Sequence, residues 1–171
     1  MNYNIIVAIC KNNGIGYNNK IPWYIQEDLK LFSKLTRGIS NNAVIMGRNT
    51  FESLPKKFLP KRDNLILSSS IIIDENIDNN IIKTFDNINS IINFCNSKNY
   101  DEVWIIGGQL IYDTFIKKNI INKLYITTIN EEYNCDKFFY YKENEWKLIE
   151  RKNIINTKNI DVKLNIYEKF L

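Results

Sequence analysis

Residues 102–116, EVWIIGGQLIYDTFI, pass from an apolar, β-branched run through two adjacent glycines into a segment of helical period. Positions 103–106 have the length and composition of a buried strand, and 109–116 bring apolar residues round at helical spacing. A strand feeding directly into a helix is the unit from which parallel sheets with crossovers are built. At the junction, Gly107 and Gly108 let either a ligand or the helix itself approach the backbone closely, and the helix N-terminus favours phosphate. The full GxGxxG pattern is missing, and tight packing is the commoner reason for such a pair.

The same alternation extends outward in both directions. Short apolar runs at 5–9, 43–46, 65–67, 81–82 and 124–129 read as strands, and 26–35 and 86–95 carry helical period. The pattern predicts an α/β fold, one domain over residues 1–171, with a central, mostly parallel mixed sheet flanked by helices. Segments 145–155 and 161–170 are strand-like with no helix between them, which predicts an antiparallel hairpin closing one edge.

A chain of 171 residues, 44% hydrophobic and 25% charged, suits a single globular unit with a substantial core. The net charge of +4 comes from 23 basic and 19 acidic residues that are scattered along the chain. No basic block interleaved with aromatics suggests nucleic acid, although a mild basic balance favours small anionic substrates. Cys10, Cys95 and Cys135 are far apart, and histidine is absent. Disulfide frameworks and the common zinc patterns therefore lack their parts, and we expect a reducing compartment and no metal site. No secretory signal or membrane-length apolar run is present, so the expected location is the cytoplasm.

Three further features carry candidate chemistry. On the helix at 26–36, Ile25, Leu29, Phe32 and Leu35 are expected to share an apolar face that Asp28 joins, with Glu27 turned outward. A carboxylate on such a face is costly unless paired, hydrogen-bonded or protonated, which makes it a functional candidate; a buried Asp capping a neighbouring loop is the alternative. Residues 44–50 again run from strand through Gly47 into a helix start, with Arg48 placed either for a phosphate or for solvent. Ile15-Gly16 and Ile21-Pro22-Trp23 make a glycine-hinged loop ahead of the Asp28 helix, suited to a lid; Trp23 also fits as a core aromatic.

In this order and spacing the segments resemble dihydrofolate reductase. The resemblance rests on Ile5-Ile6-Val7-Ala8, Gly14-Ile15-Gly16, Ile21-Pro22-Trp23, Glu27-Asp28-Leu29-Lys30-Leu31-Phe32, the run from Val44 through Gly47-Arg48-Asn49-Thr50 to Leu54, Leu67-Ser68-Ser69, Ile105-Ile106-Gly107-Gly108, and Tyr125-Ile126-Thr127. It implies a reductase that takes a hydride from NADPH C4 to C6 of a dihydrofolate pterin, with Asp28 promoting protonation at N5. Trp23 would orient a water beside the acid and Thr127 would buttress it. Ile6, Ala8, Leu29, Phe32, Ile106 and Tyr112 would enclose the reacting rings, and Arg62 would hold the glutamate tail's carboxylate.

Cofactor contacts are implied for Ala8, Ile15, Gly16, Gly47, Arg48, Asn49, Thr50, Leu67, Ser68, Ser69, Lys83, Ile106, Gly107, Gly108, Gln109 and Tyr112. The Gly107–Gly108 peptide would be cis. Arg48 and Ser69, helped by Lys83, would select NADPH through its 2′-phosphate. The resemblance also implies a monomer, with thymidylate synthase fused or associated in some relatives. Departures from the family pattern are Gln109, where a third glycine is frequent, and Tyr140, where proline commonly follows Phe139. Two rivals are a pyrimidine reductase of riboflavin synthesis, which has no need of the Asp28, Trp23 and Arg62 set, and a catalytically silent folate- or nucleotide-binding module.

Overall fold

A computed structural model describes residues 1–39 and 41–170. In chain order the elements are β1 (Asn2–Ile9), β2 (Gly14–Gly16), α1 (Gln26–Arg37), β3 (Asn42–Gly47), α2 (Arg48–Glu52), β4 (Asp63–Leu67), β5 (Asp74–Ile77) and β6 (Asn80–Phe85). They continue as α3 (Ile88–Lys98), β7 (Glu102–Gly107), α4 (Gln109–Lys117), β8 (Ile121–Ile129), β9 (Lys137–Phe138), β10 (Trp146–Asn153) and β11 (Val162–Lys169). Nine strands form one sheet in the order β10-β11-β8-β1-β7-β3-β4-β6-β5. The strands from β8 to β6 in that order pair in parallel, while β11, β10 and β5 are antiparallel to their neighbours. The expected mixed, mostly parallel sheet with a C-terminal hairpin is therefore what the chain forms.

The central strands are buried on both faces because side chains alternate between two cores. Ile5, Val7, Ile45, Leu65, Val103 and Ile105 point to the side covered by α3 and α4, where Ile91, Cys95, Ile111 and Phe115 pack. Ile6, Val44, Met46, Ile66 and Trp104 point to the other side, against Phe32 and Leu35 of α1 and Phe51 of α2. Helix α3 is held at its start by Asn87, whose side chain accepts the Ser90 N–H, and ends at Asn99 in the left-handed conformation.

Two elements escaped the sequence reading. Residues 81–82 are the middle of the longer β6, which folds back on β5 through Asp78 and Asn79, both at positive φ (51° and 62°). Such a turn matches strand twist and favours Asn and Asp, but Asp74, Glu75 and Asn76 are exposed and show no apolar alternation. The second is a two-stranded sheet of β2 and β9. Helix α1 is also less enclosed than expected: Thr36 is its buried residue, Phe32 and Leu35 are half-buried, and Leu29 is 44% exposed.

Asn64 on β4 joins sheet to site. Its fully buried side chain accepts the Leu59 N–H at 2.8 Å and donates to the carbonyls of Leu59 (2.9 Å) and Arg62 (2.8 Å). Asn64→Ala strands those groups, so urea unfolding should show a loss of about 2–3 kcal/mol with an unchanged m-value.

Candidate functional site

Parallel strands offer ligand sites at their carboxyl ends, and here the two central strands part at that end. The β1–β7 register runs from Asn2↔Glu102 to Ile5↔Ile105 and goes no further among the described residues. Strand β7 continues alongside β3 with an irregularity at Ile106, so that Met46 faces Gly107. Strand β1 continues alongside β8, where Ala8 faces Thr127. The Ile6 carbonyl on the parted edge is taken by the buried Tyr112 hydroxyl, which donates to it at 2.9 Å.

On the β1–β8 side of the opening stands Asp28, half-buried on the first turn of α1. Its Oδ1 accepts a hydrogen bond from the Thr127 hydroxyl at 2.7 Å. Burial pushes the carboxyl pKa above its ordinary value, and the Thr127 bond, which favours the ionised form, offsets only part of that. Among the described residues no Lys or Arg forms a salt bridge with it. Ala8 and Trp23 pack against the neighbouring Ile25, Ile129 and Val162, with the Trp23 ring 5.3 Å from that of Tyr133. Glu27, expected to turn outward, is half-buried like Asp28, and its Oε1 accepts the Thr157 N–H at 3.2 Å.

On the β7–β3 side three glycines converge. A Cβ on Gly107, which sits at φ 110°, would lie 2.9 Å from the Tyr112 ring. One on Gly47 would stand 3.1 Å from Ile111 and 3.9 Å from the Gly107 carbonyl, and one on Gly108 would stand 3.7 Å from Thr50 Oγ1. The Gly107–Gly108 peptide is cis. Helix α4 starts immediately beyond, with Gly108 as its N-cap, and Gly47 occupies the same place before α2. The result is a shallow backbone bed flanked by helix amides.

Beside this bed, Arg48 donates through Nε to Glu52 (2.6 Å) and through a terminal nitrogen to Ser70 Oγ (2.9 Å), which lies 3.2 Å from Ser68 Oγ. Arg48 thus touches Ser70, which the sequence reading did not single out, and Ser69 beside it is exposed. The β5–β6 pairing sets Lys83 against Asp74, with which it forms an ion pair. Arg62 is 3% exposed and is turned onto the last turns of α1, donating to the Ser33 carbonyl and the Thr36 hydroxyl. Its Nε has no partner among the described residues, and burial, with the nearby Arg37 charge, brings its pKa down to about 10.

A cleft between two parted parallel strands, with a buried acid on one side and a glycine bed on the other, agrees with what comparison with known proteins shows. The family model for dihydrofolate reductase matches residues 2–169. The chain belongs to the dihydrofolate reductase family. Among related sequences, a dihydrofolate reductase of Buchnera aphidicola subsp. Acyrthosiphon pisum is 44% identical over 170 residues, covering 98% of this chain and 94% of that one. A dihydrofolate reductase of Haemophilus influenzae is 38% identical over 149 residues, 86% of this chain and 85% of that one. A bifunctional dihydrofolate reductase-thymidylate synthase of Paramecium tetraurelia is 31% identical over 157 residues, 92% of this chain but 32% of its own length.

Within that family frame, the segment expected to be an irregular lid is locally ordered. Gly14 and Gly16 of β2 pair with β9, and Tyr17 and Lys20 bridge across a tight turn whose Asn18 and Asn19 are both at positive φ. The Asn18 N–H donates to Asp136 at 3.1 Å. Gln109, flagged only as a departure from family pattern, turns its side chain to the same place, and its Oε1 accepts the Phe138 N–H at 2.9 Å. No periodicity reveals such a contact, because the partner lies 29 residues away on a two-residue strand.

The site is expected to be less stable than it could be. In Gly107→Ala, the positive φ and the approach to Tyr112 should cost about 1–3 kcal/mol in thermal unfolding. Tyr112→Phe, which loses one hydroxyl bond, should cost about 1 kcal/mol. Because the folded Asp28 pKa is raised, its ionised form opposes folding. Asp28→Asn should therefore be more stable than the native chain at pH 8. The gap should close as pH falls through the folded pKa and vanish near the unfolded value of about 3.9.

Proposed function

We propose that this chain reduces dihydrofolate to tetrahydrofolate with NADPH as reductant. The observation that carries the reading is the Asp28 carboxyl, half-buried without a cation and hydrogen-bonded to Thr127, at the carboxyl end of the sheet. A carboxyl that burial makes a weaker acid keeps its proton to higher pH than a free carboxylate does, which suits a substrate whose ring must gain a proton as it gains a hydride.

Bound against the glycine bed, the reduced nicotinamide would supply the hydride. Gly107, Gly108 and Gly47 leave the space such a planar ring requires, and a side chain at Gly107 would drive into Tyr112. Tyr112 fixes the parted edge of β1 by holding the Ile6 carbonyl. Ala8, Ile6 and Ile106 line the parted strands, with Ile15 of β2, where water has to be excluded during transfer. The α2 and α4 N-termini, with Asn49, Thr50 and Gln109, meet the diphosphate, and Leu67 and Gly16 border it. We place the 2′-phosphate on Arg48 with Ser68 to Ser70; Lys83 is committed to Asp74.

Asp28 accepts the amino group of the pterin's pyrimidine edge and favours the N5-protonated substrate. Thr127 orients it, and Trp23 walls its solvent side. Leu29 and Phe32 of α1 cover the pterin face; the 44% exposure of Leu29 reflects the open cleft it borders. The unpartnered Nε of Arg62 and its lowered pKa describe a buried cation short of a counter-charge, which the carboxylate of the glutamate tail would provide. A cytoplasmic monomer completes the reading: three free thiols suit a reducing compartment. No helix among the described residues is long and apolar enough to cross a membrane.

Loss of NADPH absorbance on adding dihydrofolate tests the activity directly; a well-folded chain without dihydrofolate-dependent oxidation overturns it. Asp28→Asn should lower kcat/KM by ~10²–10⁴ near neutral pH. In single-turnover hydride transfer the native rate should fall as pH rises through the raised Asp28 pKa. Thr127→Val removes the one bond that lowers that pKa, so its fall should move to higher pH; a midpoint that stays or moves down argues against the pairing.

A further inference from the structure

Two of the three cysteines meet at the base of the β2–β9 sheet. Cys10, 2% exposed, follows directly on β1, and Cys135, half-buried, lies in the segment joining β8 to β9. Their sulfurs are 3.9 Å apart across 125 residues of sequence. Gly14 makes the room: a Cβ there would lie 2.3 Å from Cys135 Sγ and 2.6 Å from its Cβ. The Cys10 thiol also donates to Asn12 Oδ1 at 2.8 Å, an oxygen that in turn accepts the Gly14 N–H at 3.2 Å.

The backbone on either side already fixes both residues. Cys10 N–H donates to the Gly14 carbonyl at 3.0 Å, Asp136 N–H to the Gly16 carbonyl at 2.9 Å, and Phe139 N–H to the Asn13 carbonyl at 2.9 Å. The 3.9 Å between the sulfurs is the gap that must narrow to the ~2.0 Å of a disulfide. Cys95 is excluded from such chemistry, being fully enclosed in the core beside Tyr3, with burial pushing its thiol up to about 12.

We propose that Cys10 and Cys135 form an oxidisable pair that closes a disulfide under the β2 segment when it meets a low-molecular-weight disulfide such as oxidised glutathione. The half-exposed Cys135, as thiolate, attacks one sulfur of the small disulfide and releases one small thiolate. Cys10, as thiolate, then attacks the Cys135 sulfur of the mixed disulfide and releases the second. The two protein thiols together lose two electrons to the small disulfide, and their two protons end on the released thiols. Burial, the Cys10 thiol and the Asp136 carboxylate all disfavour the Cys135 thiolate, bringing its pKa up to about 11, so the first step is slow at neutral pH and quickens as pH rises. The product ties the start of the β2 segment to the segment that pairs with it.

Purified full-length chain is incubated with oxidised glutathione at pH 7 and pH 9, alkylated, and mapped by non-reducing mass spectrometry. The expected result is a chain lighter by two hydrogen atoms, a Cys10–Cys135 cross-linked peptide, alkylation at Cys95 alone after unfolding, and faster formation at pH 9. Cys10→Ser should stop at the glutathione mixed disulfide on Cys135, and Cys135→Ser should not react at Cys10. Amide exchange in residues 14–20 should slow roughly tenfold in the oxidised chain and recover with dithiothreitol. A stable mixed disulfide on native Cys135, an absence of reaction at both thiols, or unchanged exchange after cross-linking each overturns the proposal. None of these readouts depends on reductase activity.

Discussion

Beyond the Ile5↔Ile105 pair, β1 and β7 leave each other, and most of what surrounds the cleft follows from that separation. A parallel strand that loses a neighbour exposes backbone polar groups that must be satisfied some other way. On β1 the substitute for the Ile6 carbonyl is the Tyr112 hydroxyl, which requires α4 to pass close over the end of β7. That closeness leaves no space for a Cβ at Gly107, and the next residue, Gly108, caps the helix. One broken ladder therefore demands the tyrosine, the tyrosine demands the glycine, and the glycine opens the bed on which a flat ligand can lie.

Asp28 shows the opposing case, a group whose ionised form burial disfavours and folding does not need. Two effects act on it in opposite directions: burial raises its pKa and the Thr127 hydroxyl lowers it, and burial is the larger. A neighbouring Lys or Arg would have reversed that balance and held the carboxyl ionised. The register places Thr127 beside Ala8 at the edge of the parted strands, so the acid is oriented by the same geometry that opens the cleft. Arg62 is the basic counterpart, buried against α1 with its Nε unpartnered among the described residues.

The central sheet could be read from sequence because 43–46, 65–67 and 103–106 are buried on both faces and hence continuously apolar. The Gly107-Gly108 junction stands out as a strand running straight into a helix, but the residues alone favour tight packing, and a cofactor role comes only with the family resemblance. β5 and β2 could not be, since each is held by turn geometry and backbone bonds while its side chains stay in solvent or in mixed surroundings. Asp28 was visible as an acid on an apolar stripe, yet the stripe overstated how far α1 is covered, because one side of that helix borders an open cleft. The surroundings of Lys83 were hidden for a related reason: the sequence shows its charge but not the antiparallel strand that brings Asp74 to meet it.

Gln109 connects these parts. As the first residue of α4 it follows the glycine bed, and its side chain reaches the Phe138 N–H on β9, the strand that pairs with Gly14. The next residue, Phe139, is buried edge-on against Tyr112 at 5.2 Å, so β9 touches α4 through both a hydrogen bond and a ring contact. Asp136 and Asn18 carry the connection on into the turn at Tyr17–Lys20. A glycine at 109 would leave the Phe138 N–H without this acceptor and remove the hydrogen bond between α4 and β9, leaving the ring contact of Phe139 with Tyr112. In this chain the glycine bed, the tyrosine that closes the parted ladder and β2 are consequently joined by a continuous series of hydrogen-bond and ring contacts that runs through Gln109 and β9.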